Sequence, residues 1–122
     1  MFTLCVRDVF SAAHRLESYG GKCEQLHGHN FRVEAFFAGE DLNNDGMLVD
    51  FTLLKSCLKE VLSGLDHKHL NDISFFQARA SSSEYIAMFI FSEVEKILKV
   101  EDVCVKEVRV WESDNVFAAF GR

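Results

Sequence analysis

The order of hydrophobic patterns along the chain predicts an α+β fold: a four-stranded antiparallel sheet with two helices on one face, its elements running ββααββ. Three observations carry that prediction. Apolar and polar residues alternate with period two near both ends of the chain, two central segments repeat apolar residues at helical spacing, and polar or glycine-containing stretches separate them.

At the N-terminal end, Phe2, Leu4 and Val6 alternate with Thr3, Cys5 and Arg7, which predicts a first strand to about Phe10. Phe31, Val33, Ala35 and Phe37 alternate with Arg32 and Glu34 to give the second. Residues 17–30 between them are rich in glycine and polar side chains and read as a long loop holding Cys23, His27 and His29. Residues 39–46, with Asn43, Asn44 and Asp45, form a turn region. Asp50 or Thr52 can then cap a helix in which Leu53, Leu54, Cys57, Leu58, Val61 and Leu62 recur at helical spacing, with Gly64 as its stop. Residues 65–77 are irregular and carry Asp66, His67 and His69. A second helix starts near Ser82 or Ser83 and buries Ile86, Ile90, Val94 and Ile97. Residues 103–112 alternate again, and residues 115–120 return beside them after a turn at Ser113 and Asp114.

This arrangement leaves one face of the sheet bare. That face carries Arg7, Arg32, Glu34, Glu107 and Arg109 beside apolar Phe36 and Trp111, with two open edges. A small sheet with unprotected edges tends to be completed by another copy of itself, so the pattern predicts a homo-oligomer.

Composition narrows the function. With 122 residues, 48% of them apolar and twelve of them Phe, the chain reads as a single domain over residues 1–122 that buries roughly two thirds of its unfolded surface. The absence of proline and of any Gly/Ser-rich stretch argues against a linker. A net charge of −6 without a clustered Lys/Arg face argues against a nucleic-acid surface. No apolar run approaches the roughly 20 residues of a membrane span, and Arg7 and Asp8 interrupt the N-terminal apolar stretch where a signal peptide would be continuous. The expected location is cytoplasmic. Cys5, Cys23, Cys57 and Cys104 lie far apart without a CxxC, which predicts reduced thiols; Cys5, Cys57 and Cys104 fall on strands or the apolar helix face and read as core.

Five histidines are more distinctive, because His14, His27 and His29 lie within sixteen positions. In extended backbone, residues two apart project from the same side, so His27 and His29 can reach one ion, Gly28 letting the backbone pass close to it. His14 supplies a third nitrogen if the two strands pair. Three neutral imidazoles with an open fourth position make a catalytic zinc site; the alternative is a turn with two surface histidines. Cys23 is either a fourth ligand, closing the site into a structural one, or a thiolate base or nucleophile activated by a nearby cation such as Lys22.

A second cluster, Leu65-Asp66-His67-Lys68-His69, sets a carboxylate beside two histidines, either of which could act as a general acid/base; the alternative is a solvated polar loop. Glu112 stands at a strand end, where a carboxylate could accept two hydrogen bonds from a guanidine-like ring edge. Glu84, three residues beyond Ser81, reads as part of a capping box or as a favourable charge at a helix start.

Taken together, Phe10-Ser11-Ala12-Ala13-His14, Cys23-x-x-x-His27-Gly28-His29-Asn30, Asp50-Phe51, Leu65-Asp66-His67-Lys68-x-Leu70-Asn71, Ser82-x-Glu84 and Trp111-Glu112-Ser113 resemble the pyruvoyltetrahydropterin synthase family. The resemblance runs from Met1 to nearly the last residue. The three residues between Cys23 and His27 are similar to the bacterial 6-carboxytetrahydropterin synthase branch of queuosine biosynthesis; the pyruvoyl-forming enzymes typically have a longer gap. Ser81 and Ser82 stand where family members usually have Pro-Thr.

The resemblance implies Zn2+ on His14, His27 and His29, Cys23 as catalytic base, and Asp66 with His67 as its partnering dyad. It implies substrate binding by Glu112, Ser82 and Glu84, with Glu112 anchoring the pterin. It also implies a tunnelling fold in which trimers close a barrel and two trimers stack as a hexamer, with active sites between subunits. The expected substrate is 7,8-dihydroneopterin triphosphate.

Overall fold

The computed structural model describes residues 1–16 and 26–122. Two long strands, β1 (Phe2–His14) and β2 (His27–Gly39), pair antiparallel over their whole length, from Phe2 opposite Gly39 to His14 opposite His27. Both run further toward the intervening segment than local pattern suggests. Ser11, Ala12 and Ala13 carry little strand signal of their own; cross-strand pairing holds them extended, as tertiary context routinely does. Strands β4 (Val103–Trp111) and β5 (Phe117–Gly121) extend the sheet antiparallel beyond β2.

The sheet differs from the expected four antiparallel strands. A two-residue strand, β3 (Lys68–His69), pairs parallel to β1, so the sheet is five-stranded and mixed, in the order β3-β1-β2-β4-β5. His69 therefore belongs to a strand and not to a loop. A single turn of 3-10 helix (Leu70–Asp72) and a short helix α2 (Ser74–Gln77) follow in the stretch read as irregular. Two residues have no period to read; β3 forms because the edge of β1 offers bonding groups, the His67 N–H donating to the Ser11 carbonyl at 2.6 Å.

The helices α1 (Phe51–Ser63) and α3 (Ser83–Ile97) pack on one sheet face. Asp50 caps α1 by accepting from the Thr52 N–H at 2.8 Å, and α1 ends before Gly64. It buries Leu54, Leu58, Val61 and Leu62, whereas Leu53 is exposed and Cys57 half-buried. Ser82 caps α3, its hydroxyl accepting from the Tyr85 N–H. Because the cap is Ser82 and not Ser81, the third helical position is Tyr85 and the expected capping box with Glu84 does not form; Glu84 stays exposed in the first turn. Ile86, Ile90, Phe91 and Val94 of α3 meet Phe10, Phe31 and Phe37 of the sheet in the core, each large side chain contributing about 1.5–3 kcal/mol by burial.

Between Phe36 and Phe37 the β2–β4 register shifts, so that Phe36 faces Glu107 and Phe37 faces Val105. The extra residue, Lys106, puts both Val105 and Val108 on the helix side, which strict alternation would forbid. On the opposite face the expected charged and apolar residues gather into pairs. Glu34, only 5% exposed, accepts from Arg7 Nε at 2.8 Å and from Trp111 Nε1 at 2.6 Å. Arg109 pairs with Glu107 and lies over Phe36, and Arg32 lies over Trp111. Cys5 and Cys104 sit on this face and are exposed, not core as expected, because they occupy the alternate positions that point away from the helices. Among the described residues no helix is long and apolar enough to cross a membrane.

Candidate metal centre and active site

His14 ends β1, His27 begins β2, and the two are direct cross-strand partners; His29, opposite Ala12, projects from the same face of β2 as His27. The turn alternative for His27-Gly28-His29 is thereby excluded, since all three residues are strand. Ring centroids lie 4.8 Å apart for His14 and His27, 5.2 Å for His14 and His29 and 4.5 Å for His27 and His29. Phe31 closes the floor of the group, its ring 5.4 Å from those of His14 and His29. Gly28 points to the other face, and a Cβ there would meet nothing within 4 Å, so its expected role in clearing a path beside an ion is not required.

Several features suit this group to a metal ion. One ligand atom from each histidine lies within 4.8 Å of the others. Nitrogens sharing one tetrahedral ion stand about 3.4 Å apart, so small side-chain rotations would close the set. His14 is 2% exposed, and its Nδ1 lies 2.7 Å from the Ser81 carbonyl oxygen. Only a protonated nitrogen can face a carbonyl, so Nδ1 donates and, in the neutral ring, Nε2 keeps its lone pair. Among the described residues that Nε2 is buried without a hydrogen-bond partner. An orphaned buried acceptor costs about 1–3 kcal/mol, a penalty that coordination of an ion removes. Three imidazoles, with no carboxylate among the described residues, suit a first-row divalent ion over magnesium or calcium, which take oxygen ligands. Cys23 lies outside the described residues.

In the second cluster it is His67 that pairs with Asp66. Asp66 Oδ2 lies 3.0 Å from His67 Nδ1, while its Oδ1 accepts from the Ser11 N–H at 2.9 Å. The Ser11 N–H, and secondarily His67, hold the Asp66 carboxyl below its ordinary value. His69 Nδ1 instead lies toward Asp72, at 3.9 Å, beyond hydrogen-bond reach. His67 has φ of 58°, a left-handed conformation that costs a non-glycine residue about 1–2 kcal/mol and is sustained here by the bond from its N–H to Ser11. Its side chain is 82% exposed. An open cleft of about 500 Å³ is lined by His67 together with His29, Gly28, Asn30 and Ser11, so His67 of the dyad and one imidazole of the histidine group border one space.

A third group sits at the start of α3. Glu112 Oε1 accepts from the Ser83 hydroxyl at 2.5 Å, and Ser83 is buried. Ser83 escaped sequence reasoning, because its neighbours Ser82 and Glu84 carry the pattern and only the folded chain sets it against Glu112, 29 residues away and just past the end of β4. Ser81, one turn-start residue earlier, holds His14, so α3 begins between the histidine group and Glu112.

The profile of the 6-pyruvoyl tetrahydropterin synthase family matches residues 3–122. A 6-carboxy-5,6,7,8-tetrahydropterin synthase from Synechocystis sp. is 39% identical over 92 residues, covering 71% of this chain and 70% of its own. A 6-pyruvoyl tetrahydrobiopterin synthase from Dictyostelium discoideum is 34% identical over 126 residues, covering 93% and 91%. Among solved structures, the Caenorhabditis elegans 6-pyruvoyl tetrahydropterin synthase superposes with a TM-score of 0.87 at 29% identity, covering 99% of this chain and 95% of that one. Fold, matched span and sequence identity agree: the chain belongs to the 6-pyruvoyl tetrahydropterin synthase family.

Proposed function

We propose that the protein is a zinc-dependent 6-carboxytetrahydropterin synthase, a cytoplasmic carbon-carbon lyase of queuosine biosynthesis. It converts 7,8-dihydroneopterin triphosphate and water to 6-carboxy-5,6,7,8-tetrahydropterin, acetaldehyde and triphosphate. The observation that carries the reading is the group of three imidazoles, in which His14 Nε2 is buried without a hydrogen-bond partner among the described residues and His29 lines a cleft with His67 of the Asp-His pair. The spacing of Cys23 and His27 and the similarity to the Synechocystis synthase favour the carboxy-forming branch.

In this reading His14, His27 and His29 hold Zn2+, which supplies Lewis acidity toward the hydroxyls of the substrate side chain. Cys23 as thiolate takes a proton from that side chain. His67, with Asp66 against its Nδ1, gives or takes a proton through Nε2 on the other side. Glu112 accepts hydrogen bonds from the pterin edge, aided by Ser82 and Glu84, and Ser83 fixes the carboxylate. The bare sheet face and the edge strands support a homo-oligomer, a trimer or hexamer, of this single domain spanning residues 1–122, with active sites between subunits.

Incubating the zinc-loaded protein with dihydroneopterin triphosphate should release both triphosphate and acetaldehyde. Triphosphate without acetaldehyde would move the assignment to the pyruvoyl-forming activity, which the similarity to the Dictyostelium and C. elegans synthases favours. Cys23→Ala should keep zinc and lose turnover; loss of zinc would instead mark Cys23 as a ligand of a closed, non-catalytic site.

A further inference from the structure

The β1–β2 ladder stops at His14, and the parallel β1–β3 pairing stops one residue earlier, at Ala13 opposite His69. Arg15 lies just past the end of both pairings. The side chain of Asn71 takes the strand's place: the Arg15 N–H donates to Asn71 Oδ1 at 3.0 Å, and Asn71 Nδ2 donates to the Arg15 carbonyl at 3.0 Å. Since His69 pairs with Ala13, Asn71 against Arg15 continues the same two-residue step with an amide side chain in place of backbone.

The same carbonyl of Arg15 accepts from the hydroxyl of Ser81 at 3.0 Å, and that hydroxyl also lies 3.4 Å from Asn71 Oδ1. Ser81 is fully buried, and its own carbonyl faces His14 Nδ1 at 2.7 Å. A closed ring results, from Asn71 to Arg15, Ser81 and His14. It ties the strand end that carries one imidazole to the loop that carries Asp66 and His67.

We propose that Asn71, acting through Arg15 and Ser81, is a positioning residue for the metal centre. It holds the Ser81 carbonyl where it fixes His14 in the tautomer and orientation that presents Nε2 to the ion. The inference rests on the reading of His14, His27 and His29 as ligands. Groups that orient a ligating histidine through its second nitrogen typically change metal affinity by 10–100-fold when removed.

The test uses the full chain stripped of metal, titrated with Zn2+ against a chromogenic chelator and with Co2+ by visible absorption, beside thermal melts. Asn71→Ala should weaken zinc binding by about 10–100-fold and alter the Co2+ bands while melting remains cooperative, a spectral change that a loss of stability alone would not produce. Affinity within about twofold of the unsubstituted protein, with unchanged Co2+ bands, overturns the proposal. Should Asn71→Ala fail to fold, Ser81→Ala decides: it keeps the carbonyl but loses the bond to Arg15, and should weaken zinc by about tenfold, whereas unchanged binding overturns the proposal. His14→Ala separates the two levels. If it loses zinc while Asn71→Ala keeps it, only the positioning role falls; if the unsubstituted protein binds no zinc, the metal reading falls and the positioning role with it.

Discussion

His14 stands directly opposite His27 in the β1–β2 ladder, the two rings edge-on with centroids 4.8 Å apart. Residues so paired have Cβ atoms about 4.5–5.5 Å apart, near enough for both imidazoles to reach one ion. The register of one hairpin thus sets the geometry of the candidate metal centre, and a slip by one residue would turn His27 and His29 to the other face of the sheet.

His27→Ala removes one of three nitrogens from a group that holds no carboxylate among the described residues. Metal affinity should fall by more than the roughly 10–100-fold that loss of an orienting partner causes. Metal content after gel filtration of the zinc-loaded protein reads this directly. Retention of one equivalent of zinc by the variant would contradict the assignment.

The acid limb of the stability profile should depend on Asp66. Its folded pKa lies below the ordinary value of 3.8, chiefly through the Ser11 N–H and then through His67. A depressed carboxyl stabilises the fold above its unfolded pKa, and that contribution is lost as pH falls through the folded value. Asp66→Asn should therefore melt lower than the unsubstituted protein near neutral pH, and the gap should narrow as pH drops below about 4. A gap that is constant with pH would show that the carboxylate charge contributes nothing there.

Ser83→Ala deletes the hydroxyl that donates to Glu112. If Glu112 anchors the pterin ring, the carboxylate loses its fixed orientation. One hydrogen bond of about 1 kcal/mol corresponds to roughly a five- to tenfold weaker pterin affinity. Fluorescence titration with a pterin measures it, and zinc affinity should not change.

Asp50→Ala removes the N-cap of α1, whose side chain accepts the Thr52 N–H at 2.8 Å. Stability should fall by about 1 kcal/mol in urea unfolding. Zinc binding should stay as it was, because α1 contributes none of the three histidines.

Elements with a strong internal period were legible at the level of the chain. β1 as far as about Phe10, β2 from Phe31 to Phe37, α1 with Asp50 among its two cap candidates and α3 with a start near Ser82 follow from apolar spacing and from side chains that satisfy helix N–H groups. The His-Gly-His spacing put two imidazoles on one side, and the loop motif set Asp66 next to His67. Elements that owe their existence to a neighbour were not legible. β3 has two residues and no pattern, and the bulge at Lys106 shifts the phase of β4 because of what β2 places opposite it. Cys5 and Cys104 were misplaced because lying in a strand does not say which face a residue takes.

By itself the sequence determined the class of fold, the residue types of the site and the two histidines that share a side, because these depend on periodicity and covalent spacing alone. The tertiary structure decided which histidine completes the group, which of His67 and His69 meets Asp66, and which buried serines and asparagine hold them. Those relations span 13 positions between His14 and His27, 67 between His14 and Ser81, and 29 between Ser83 and Glu112. No local preference reaches so far along a chain. Strand register and the packing of α3 against the sheet close those separations, and burial at the junction removes the water that would otherwise satisfy each polar group.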